Sequence, residues 1–294
     1  MKIRTNAKIN LFLGVLERRP DGFHEIETIL HNVGFGDEME ISLEAGTGVE
    51  VEMILEDDLR GPVPAPRDNL IHRAAQRLLE LSGSSAAVRI VTRKRVPMGG
   101  GLGGGSANAA GTLVALNELL AERLSTHELE VVAAELGSDV PFCLTGGTAL
   151  GTSRGERVRA LPSRSRAWFV LGLSNRPVRT REVYGRWRPS GVSTSASPAR
   201  MALAIEGGEP SDIASLLHND LEPSIFEMRP DVRAGVSRMT AAGALGSLTS
   251  GSGPTVFGVA SDEEHARSIA QSVSGDFDRV RVVGSRPGCV ERLD

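Results

Sequence analysis

The chain has 294 residues, 40% hydrophobic and 24% charged, which is typical of a globular protein with one large or two medium domains. Its formal net charge of -4 gives no positive field for nucleic acid or an anionic membrane, so we expect neither as a partner. No apolar run reaches the roughly 18 residues of a membrane helix, and the two cysteines, Cys143 and Cys289, belong to no CxxC pair. These features predict a cytoplasmic protein with two free thiols.

Short β-like segments dominate the first half of the chain. Apolar runs and alternating patterns predict strands at residues 9–16, 26–35, 38–43, 49–55 and 87–91. A helical pattern at residues 69–81 follows a proline-rich connector at residues 61–68. Several strands with one early helix predict an α+β domain, which we assign to residues 1–155.

A glycine run follows the last of these strands. Residues 99–105 contain six glycines in seven positions, directly after Pro97 and Met98, and an apolar helical stripe covers residues 106–120. Glycines adopt positive φ easily and let successive backbone N–H groups point at one anion, while a helix N-terminus adds partial positive charge. The run therefore predicts a loop that binds the phosphates of a nucleotide.

Two other interpretations of the glycine run stay open, and a third is excluded. Gly99, Gly101 and Gly104 match the dinucleotide pattern GxGxxG, although Pro97 and Met98 separate them from the preceding strand. A merely flexible loop is the second alternative. A Walker A loop needs a Gly-Lys pair, and the sequence contains none.

Lys8, Asn10 and Asp139 are the candidate reactive side chains. Strand alternation places Lys8 and Asn10 on one face of an otherwise apolar strand, and only three of the 33 basic residues are lysines. Asp139 lies between a predicted helix at residues 126–136 and a proline-containing apolar run. An aspartate beside an ammonium can orient or deprotonate a hydroxyl. A solvated strand face for Lys8 and Asn10, and a helix cap for Asp139, are the structural alternatives.

The rest of the chain predicts a strand pair within residues 146–155 and then a second α+β domain over residues 156–294. Its predicted strands lie at residues 168–173, 255–259 and 280–283, its helices at 180–188, 219–227 and 232–242, and a polar loop at 190–197. A Gly/Ser segment at residues 249–258 either donates N–H and hydroxyl groups to an oxyanion or only turns the chain.

Six motifs, in this order along the chain, resemble the GHMP kinase superfamily. They are AKINLFL from Ala7, RPDGFHEIET from Arg19, PMGGGLGGGSANAA from Pro97, GSDVPFC from Gly137, NDLEP from Asn219 and SGSGPTVFG from Ser250. The doubled glycines of GLGGGS are similar to the branch of that family whose substrate carries a diphosphocytidyl group. The resemblance implies a two-domain α+β GHMP kinase fold, with a ferredoxin-like C-terminal domain and the active site in the cleft between the domains.

The resemblance also implies an activity. It is the transfer of the γ-phosphoryl group of ATP, with Mg²⁺, to the 2-hydroxyl of 4-diphosphocytidyl-2-C-methyl-D-erythritol in the non-mevalonate isoprenoid pathway. Lys8 and Asp139 would form the catalytic pair. The ATP-binding residues would be Pro97, Met98, Gly99, Gly100, Gly101, Leu102, Gly103, Gly104, Gly105, Ser106 and Ala107. Another GHMP-type small-molecule kinase, or a non-catalytic GHMP-fold binding protein, is the alternative, and the chain would be a monomer or a homodimer.

Substrate contacts are expected from four residues. An aromatic face stacks on a pyrimidine and an imidazole bonds its edge, so Phe23 and His24 would meet the cytidine. Asn10 and Thr180 would hold the methylerythritol and diphosphate parts. Two positions depart from the family pattern: Ala107 stands where a serine is usual, and Phe23 where a tyrosine is common.

Overall fold

The structure, a computed structural model, describes residues 1–56, 59–60, 63–120, 123–189 and 196–293. Residues 61–62 of the predicted connector and residues 190–195 of the predicted polar loop lie outside them. The strands are β1 Lys2–Arg18, β2 His24–Glu44, β3 Gly48–Leu55, β4 Ala87–Lys94, β5 Thr148–Thr152, β6 Arg157–Ala160, β7 Trp168–Leu173, β8 His218–Asn219, β9 Gly246–Thr249, β10 Val256–Ala260, β11 Arg279–Gly284 and β12 Val290–Arg292. The helices are α1 Leu70–Ser82, α2 Gly104–Leu119, α3 Thr126–Leu136, α4 Val140–Thr145, α5 Thr180–Arg186, α6 Pro198–Gly207, α7 Pro210–Ser215, α8 Glu222–Met228, α9 Pro230–Ala241 and α10 Glu263–Ser272.

Two sheets organise the described residues. The larger has the order β12-β1-β2-β4-β3, with β5 between β2 and β6, and β8 paired with β1. The smaller has the order β11-β7-β10-β9 and is antiparallel throughout. Because β8 and β12 come late in the chain, its second half contributes strands to both sheets.

The core lies between the sheets and under the helices of the first half. Ile9 and Leu11 of β1 share one buried cluster with Phe169 of β7 and Phe257 of β10, which joins the two sheets. On the other side, Leu113 of α2 belongs to a cluster that packs α1, α2 and α3 on the larger sheet. Burial of this many apolar side chains stabilises the arrangement by roughly 25 cal/mol for each Å² removed from water.

Local capping fixes where several helices of the first half begin. The Asn69 side chain accepts a hydrogen bond from the Ile71 N–H over 3.0 Å and so begins α1. Ser125 and Glu128 form a reciprocal capping box at the start of α3. Gly103, with a φ of 66°, precedes the first residue of α2, so the glycine loop leads directly into that helix.

The predicted α+β architecture is confirmed, with differences in detail. β2 runs unbroken through the gap predicted between residues 35 and 38, because the buried Asp37 continues the strand. The helices α4, α6, α7 and α10 and the strands β8, β9 and β12 are additional to the prediction, and β6 lies just beyond the strand pair predicted at residues 146–155. Cys143 and Cys289 are both free, as predicted, and both are buried. Among the described residues, no helix has the length and apolarity that crossing a membrane requires.

Candidate active site

One cleft of about 1390 Å³ collects almost all of the predicted site residues. Lys8, Asn10, Asp139, Phe23, His24 and Thr180 line it, together with Pro97, Met98, Gly99, Gly100, Gly101, Gly103, Gly104, Gly105 and Ser106. Leu102 and Ala107 do not line it, since their side chains are buried in the core. The sequence thus predicts a set of residues that the fold brings to one place.

The glycine loop presents unused backbone N–H groups to the cleft. Gly99, Gly101 and Gly103 have φ values of 67°, 79° and 66°, a region that side-chain-bearing residues rarely adopt. The Ala107 N–H donates to the Gly103 carbonyl over 2.8 Å, so helical hydrogen bonding starts only there. The N–H groups of the first turn of α2 therefore have no partner within the helix and add to its positive end, which is the arrangement that binds phosphate.

Lys8 and Asp139 form an ion pair at the base of this loop. The Lys8 Nζ lies 3.3 Å from the Asp139 Oδ2 and donates to the Asn10 Oδ1 over 2.6 Å. The Asn10 Nδ2 in turn donates to the Thr28 hydroxyl over 2.9 Å. This hydrogen bond orients the amide so that its oxygen faces the lysine. The Lys8 side chain is 5% exposed and that of Asp139 33% exposed. The Lys8 ammonium is therefore buried and fixed by its hydrogen bond to Asn10, while the Asp139 carboxylate is partly exposed in the cleft.

Asp139 does not cap the helix that follows it. It precedes α4 with helical backbone angles and makes no side-chain capping hydrogen bond. Its carboxylate is therefore free to face Lys8, and the helix-cap alternative does not describe this residue. Lys8 and Asn10 contact each other on the same side of β1, as strand alternation predicts.

The second glycine-containing loop, residues 250–253, closes the cleft beside the lysine. The Ser250 hydroxyl donates to the Gly101 carbonyl over 2.8 Å. A Cβ added at Gly251 would lie 3.0 Å from the Asn10 Oδ1 and 3.4 Å from the Lys8 Nζ. Thr180, at the start of α5, shares a hydrogen bond of 2.9 Å with the Ser252 hydroxyl. This loop therefore contacts the glycine loop and lies close to the ion pair.

An aromatic cluster forms one end of the cleft. The His24 ring lies 5.3 Å from the Tyr184 ring and 5.6 Å from the Trp187 ring. Burial, followed by the charge of Arg18, lowers the pKa of His24, which favours the neutral imidazole. Burial, reinforced by the charge of Asp139, raises the pKa of the Tyr184 hydroxyl, which stays protonated as a hydrogen-bond donor.

Phe23 stands at the edge of this cluster and is half exposed, with 51% of its surface accessible. The Arg154 guanidinium lies 4.9 Å from the centre of its ring, a cation–π contact. The turn that carries Arg154 is fixed by Ser153, which has a φ of 64° and accepts a hydrogen bond of 3.0 Å from Arg19. An exposed aromatic face and a guanidinium beside it suit a planar ligand that carries negative charge.

Sequence reasoning missed several cleft residues. Tyr184, Trp187 and Arg154 were not predicted, although Tyr184 is the only tyrosine of the chain and Trp187 one of two tryptophans, three residues apart on a helical pattern. A second group of cleft residues was missed too. It comprises Met53, Pro64, Asp68, Asn69, Leu70 and Ile71. These come from three separate segments, so no local motif marks them.

A divalent cation in this cleft would divide its coordination shell between protein oxygens, water and substrate phosphates. Among the described parts of the chain, no group of three or more His, Cys, Asp or Glu side chains could hold a metal ion. Magnesium in phosphoryl-transfer sites keeps several waters and binds through one or two protein oxygens plus substrate phosphates. The Ser106 hydroxyl and the Asp139 carboxylate, both lining the cleft, fit that limited role.

Comparisons with known proteins identify the family to which the chain belongs. The model for the GHMP kinases N terminal domain matches residues 69–147, and the model for the GHMP kinases C terminal domain matches residues 201–279. The chain therefore belongs to the GHMP kinases, a family of ATP-dependent small-molecule kinases.

Within that family the chain is similar, over nearly its whole length, to proteins named 4-diphosphocytidyl-2-C-methyl-D-erythritol kinase. The one from Pelotomaculum thermopropionicum is 42% identical, with 90% of each chain covered. The one from Shouchella clausii is 38% identical over 96% of this chain and 93% of that one. A crystal structure of 4-(cytidine 5'-diphospho)-2C-methyl-D-erythritol kinase superposes with a TM-score of 0.82 at 33% identity, covering 98% of this chain and all of that one. A homoserine kinase from Cytophaga hutchinsonii, 24% identical with a TM-score of 0.78, covers 99% of this chain and 96% of its own and shares the fold.

Proposed function

We propose that this protein transfers the γ-phosphoryl group of ATP to the 2-hydroxyl of 4-diphosphocytidyl-2-C-methyl-D-erythritol, in the non-mevalonate route to isoprenoid precursors. The observation that carries the proposal is the Lys8–Asp139 ion pair, which lies between a phosphate-binding loop and an aromatic cluster in one cleft. The names of the relatives supply the identity of the substrate.

ATP is proposed to bind with its phosphates on residues 97–107 and its base at the end formed by Met53, Asn69 and Leu70. The free N–H groups and positive end of α2 favour the triphosphate. An apolar wall with one amide, that of Asn69, suits adenine. Leu102 and Ala107 would contribute only through their backbone, because their side chains are buried.

The Lys8–Asp139 pair is proposed to act on the acceptor hydroxyl. Asp139 orients that hydroxyl and takes its proton. The hydroxyl oxygen then forms a bond to the γ-phosphorus, and the bond between that phosphorus and the bridging oxygen of ADP breaks. Lys8 stabilises the negative charge that develops on the transferring group and on the oxygen. Its burial strengthens this effect, since a charge in a water-excluded site interacts more strongly than in water.

Magnesium, bound with the nucleotide, would neutralise part of the phosphate charge. The proposed protein ligands of the magnesium ion are the Ser106 hydroxyl, in the first turn of α2, and the Asp139 carboxylate, which also lines the cleft. Because Ala107 has no hydroxyl, Ser106 is the residue of this pair that could supply one.

The substrate's cytosine is proposed to stack on Phe23 and to meet His24, Tyr184 and Trp187. The neutral His24 imidazole offers one donor and one acceptor to the base edge. The Arg154 guanidinium, beside Phe23, would face the diphosphate, while Asn10 and Thr180 would hold the methylerythritol and diphosphate oxygens.

We also propose that residues 1–155 and 156–294 form the two domains, the second with a ferredoxin-like arrangement. The two family models fall one in each part. A cytoplasmic location and a monomeric or homodimeric state remain predictions.

The test is a coupled assay of ADP release with the purified protein, ATP and Mg²⁺. Turnover with 4-diphosphocytidyl-2-C-methyl-D-erythritol, with phosphorus NMR assigning a new monoester at the 2-position, is the expected result. No turnover with that substrate, but turnover with homoserine or mevalonate, would make the chain another GHMP-type kinase. Nucleotide binding without turnover on any of them would identify a non-catalytic binding protein.

A further inference from the structure

The motif from Asn219 to Pro223 does not line the cleft, yet its side chains hold the loop that does. Asn219 is 5% exposed, and its Nδ2 donates to the Thr249 carbonyl over 3.0 Å, the Thr249 hydroxyl over 3.1 Å and the Gly251 carbonyl over 2.8 Å. Its Oδ1 accepts from the Leu221 N–H over 2.9 Å, which fixes the orientation of the amide. The side chain therefore joins the end of β9 to residues 250–253.

Glu222 also bonds Thr249, the residue that Asn219 contacts at the end of β9. Its Oε1 accepts from the Thr249 N–H over 2.9 Å and from the Thr249 hydroxyl over 3.1 Å. Thr249 is fully buried and so has no water to replace these partners. Asn219, Glu222 and Thr249 thus form one hydrogen-bonded unit, which we name the Thr249 clamp.

The loop held by the clamp is packed against both parts of the candidate site. A Cβ at Gly101 would lie 2.2 Å from the Ser250 carbonyl oxygen, so the two loops approach as closely as backbone allows. On its other side, Gly251 faces Asn10 and Lys8. Moving residues 250–253 would therefore shift the phosphate-binding loop relative to the lysine.

We propose that Asn219 and Glu222 are positioning residues for phosphoryl transfer, which act through Thr249 and residues 250–253 to keep the glycine loop and Lys8 in a fixed arrangement. Neither side chain lines the cleft, so neither contacts substrate. The inference rests on the proposed kinase function. Its physical basis is that misplacement of reacting groups by about 1 Å can cost about 100-fold in rate.

Asn219→Ala is the principal test. It removes the donors to Thr249 and Gly251, and we expect kcat to fall about 10- to 100-fold. We expect the KM for the cytidine substrate to change less than about threefold, because the clamp makes no contact with the aromatic cluster, and the KM for ATP to rise by a smaller factor than kcat falls. Glu222→Ala is expected to behave in the same way. Glu222→Gln keeps an acceptor oxygen for Thr249 and is expected to recover most of the rate.

Asp220→Asn is the matched control from the same motif. Its carboxylate accepts from the Val15 N–H over 2.8 Å and pairs with His218 over 2.8 Å, on contacts that do not involve Thr249. This variant is expected to melt at a lower temperature with kcat unchanged, when all rates are measured well below each melting temperature. If kcat falls as much in Asp220→Asn as in Asn219→Ala, the clamp only contributes to the overall stability of the protein, and the inference is overturned.

Amide hydrogen exchange keeps the inference testable apart from activity. Asn219→Ala should speed exchange at residues 98–105 and 250–253, and Asp220→Asn should not. Unchanged exchange in both loops would overturn the inference, whatever the wild-type protein phosphorylates. If exchange is faster in Asn219→Ala but the wild type shows no turnover, the clamp still positions the two loops, and the proposed kinase function is rejected. Unchanged kcat in Asn219→Ala, with wild-type turnover present, would reject the positioning role alone.

Discussion

The backbone N–H of Lys8 donates a hydrogen bond to the Leu102 carbonyl over 2.9 Å, so strand β1 is joined to the middle of the glycine loop. The next residue, Gly103, contacts the lysine side chain. A Cβ at Gly103 would lie 2.9 Å from the Lys8 Cγ and 3.1 Å from its Cε. The glycine loop and the Lys8 side chain are therefore in direct contact, so a larger residue at Gly103 would displace the lysine.

Gly103→Val is expected to impair both nucleotide binding and turnover. Valine resists the φ of 66° at this position, and its side chain would displace Lys8. We expect the affinity for ATP to fall at least about tenfold, about 1.4 kcal/mol, measured by calorimetry, with a further loss in kcat. Gly207→Ala is the control, because a Cβ there meets nothing within 4 Å. ATP affinity equal to that of the wild type would contradict a phosphate cradle at Gly103.

Lys8→Ala and Asp139→Asn are expected to lower kcat by about 10²- to 10⁴-fold while the KM for ATP changes little. The reason is that the pair faces the acceptor hydroxyl in the proposed mechanism. Because the two side chains act together, the double variant should lose less than the product of the single losses, as steady-state kinetics would show. Lys2→Ala is the matched control, since that lysine is 60% exposed and lies outside the cleft. Equal losses in kcat and ATP affinity would place Lys8 on the nucleotide instead.

Phe23→Ala is expected to raise the KM for the cytidine substrate about tenfold or more, since stacking on one base is worth about 1–3 kcal/mol. The KM for ATP should stay the same, and Phe23→Tyr should keep the stacking face and the affinity. Phe226→Ala is the control, because Phe226 also lies under an arginine, Arg233 at 5.3 Å, but outside the cleft. A substrate KM that rises equally in both alanine variants would mean that stability, not stacking, is being measured.

Periodicity predicted the first-half helices well, because their buried faces repeat at helical spacing. The predicted range 126–136 coincides with α3, and 69–81 differs from α1 by one residue at each end. Periodicity failed where polar residues are buried by a distant partner. Asp37 interrupts the apolar pattern of β2, and its partner Lys94 lies 57 residues away. Helix α10 was not predicted, although the sequence carries two signals of a helix start: Asp262 caps the helix, and the acidic residues Glu263 and Glu264 follow in its first turn.

The candidate site was predictable only in part. The glycine run and the rarity of lysine pointed to residues 99–105 and Lys8 from chemistry alone, and the family resemblance extended the loop to residues 97–107. The contact between Lys8 and Asp139 came from the family resemblance, because no local spacing relates residues that far apart. Tyr184, Trp187 and Met53 lie in the cleft through tertiary folding, and single-sequence patterns do not reveal such proximity.

Lys94→Met is expected to lower the free energy of unfolding by about 3–5 kcal/mol, the usual cost of leaving a buried charge without its partner. Lys94 and Asp37 are 2% and 0% exposed, and the Asp37 Oδ1 also accepts from the Arg95 and Val96 N–H groups. The double variant with Asp37→Asn should cost less than the sum of the single variants in urea denaturation. Arg77→Ala, which breaks a surface pair with Glu135, should cost about 1 kcal/mol or less. A strictly additive double variant would show that the buried pair is not energetically coupled.

His31 is expected to make stability depend on pH in the acid range. Its ring is 2% exposed, between the hydroxyls of Thr148 at 2.7 Å and Ser285 at 2.9 Å, and burial lowers its pKa from 6.5 to about 4. Between these pKa values the unfolded chain binds a proton that the folded chain excludes. The His31 contribution to the free energy of unfolding is therefore present above pH 6.5 and is lost as the pH falls to 4, by up to about 3 kcal/mol.

His31→Gln isolates this contribution from that of the acidic side chains. At pH 8 the variant should be the less stable protein, because it loses the ring that packs 5.6 Å from Phe169. As the pH falls, the gap between the two proteins should narrow, since only the wild type carries the buried imidazole. Urea denaturation at steps from pH 8 to pH 4 measures the gap, with His127→Gln as the matched replacement of an exposed histidine. A His31→Gln curve that runs parallel to that of the wild type would show that His31 does not titrate differently in the folded and unfolded states.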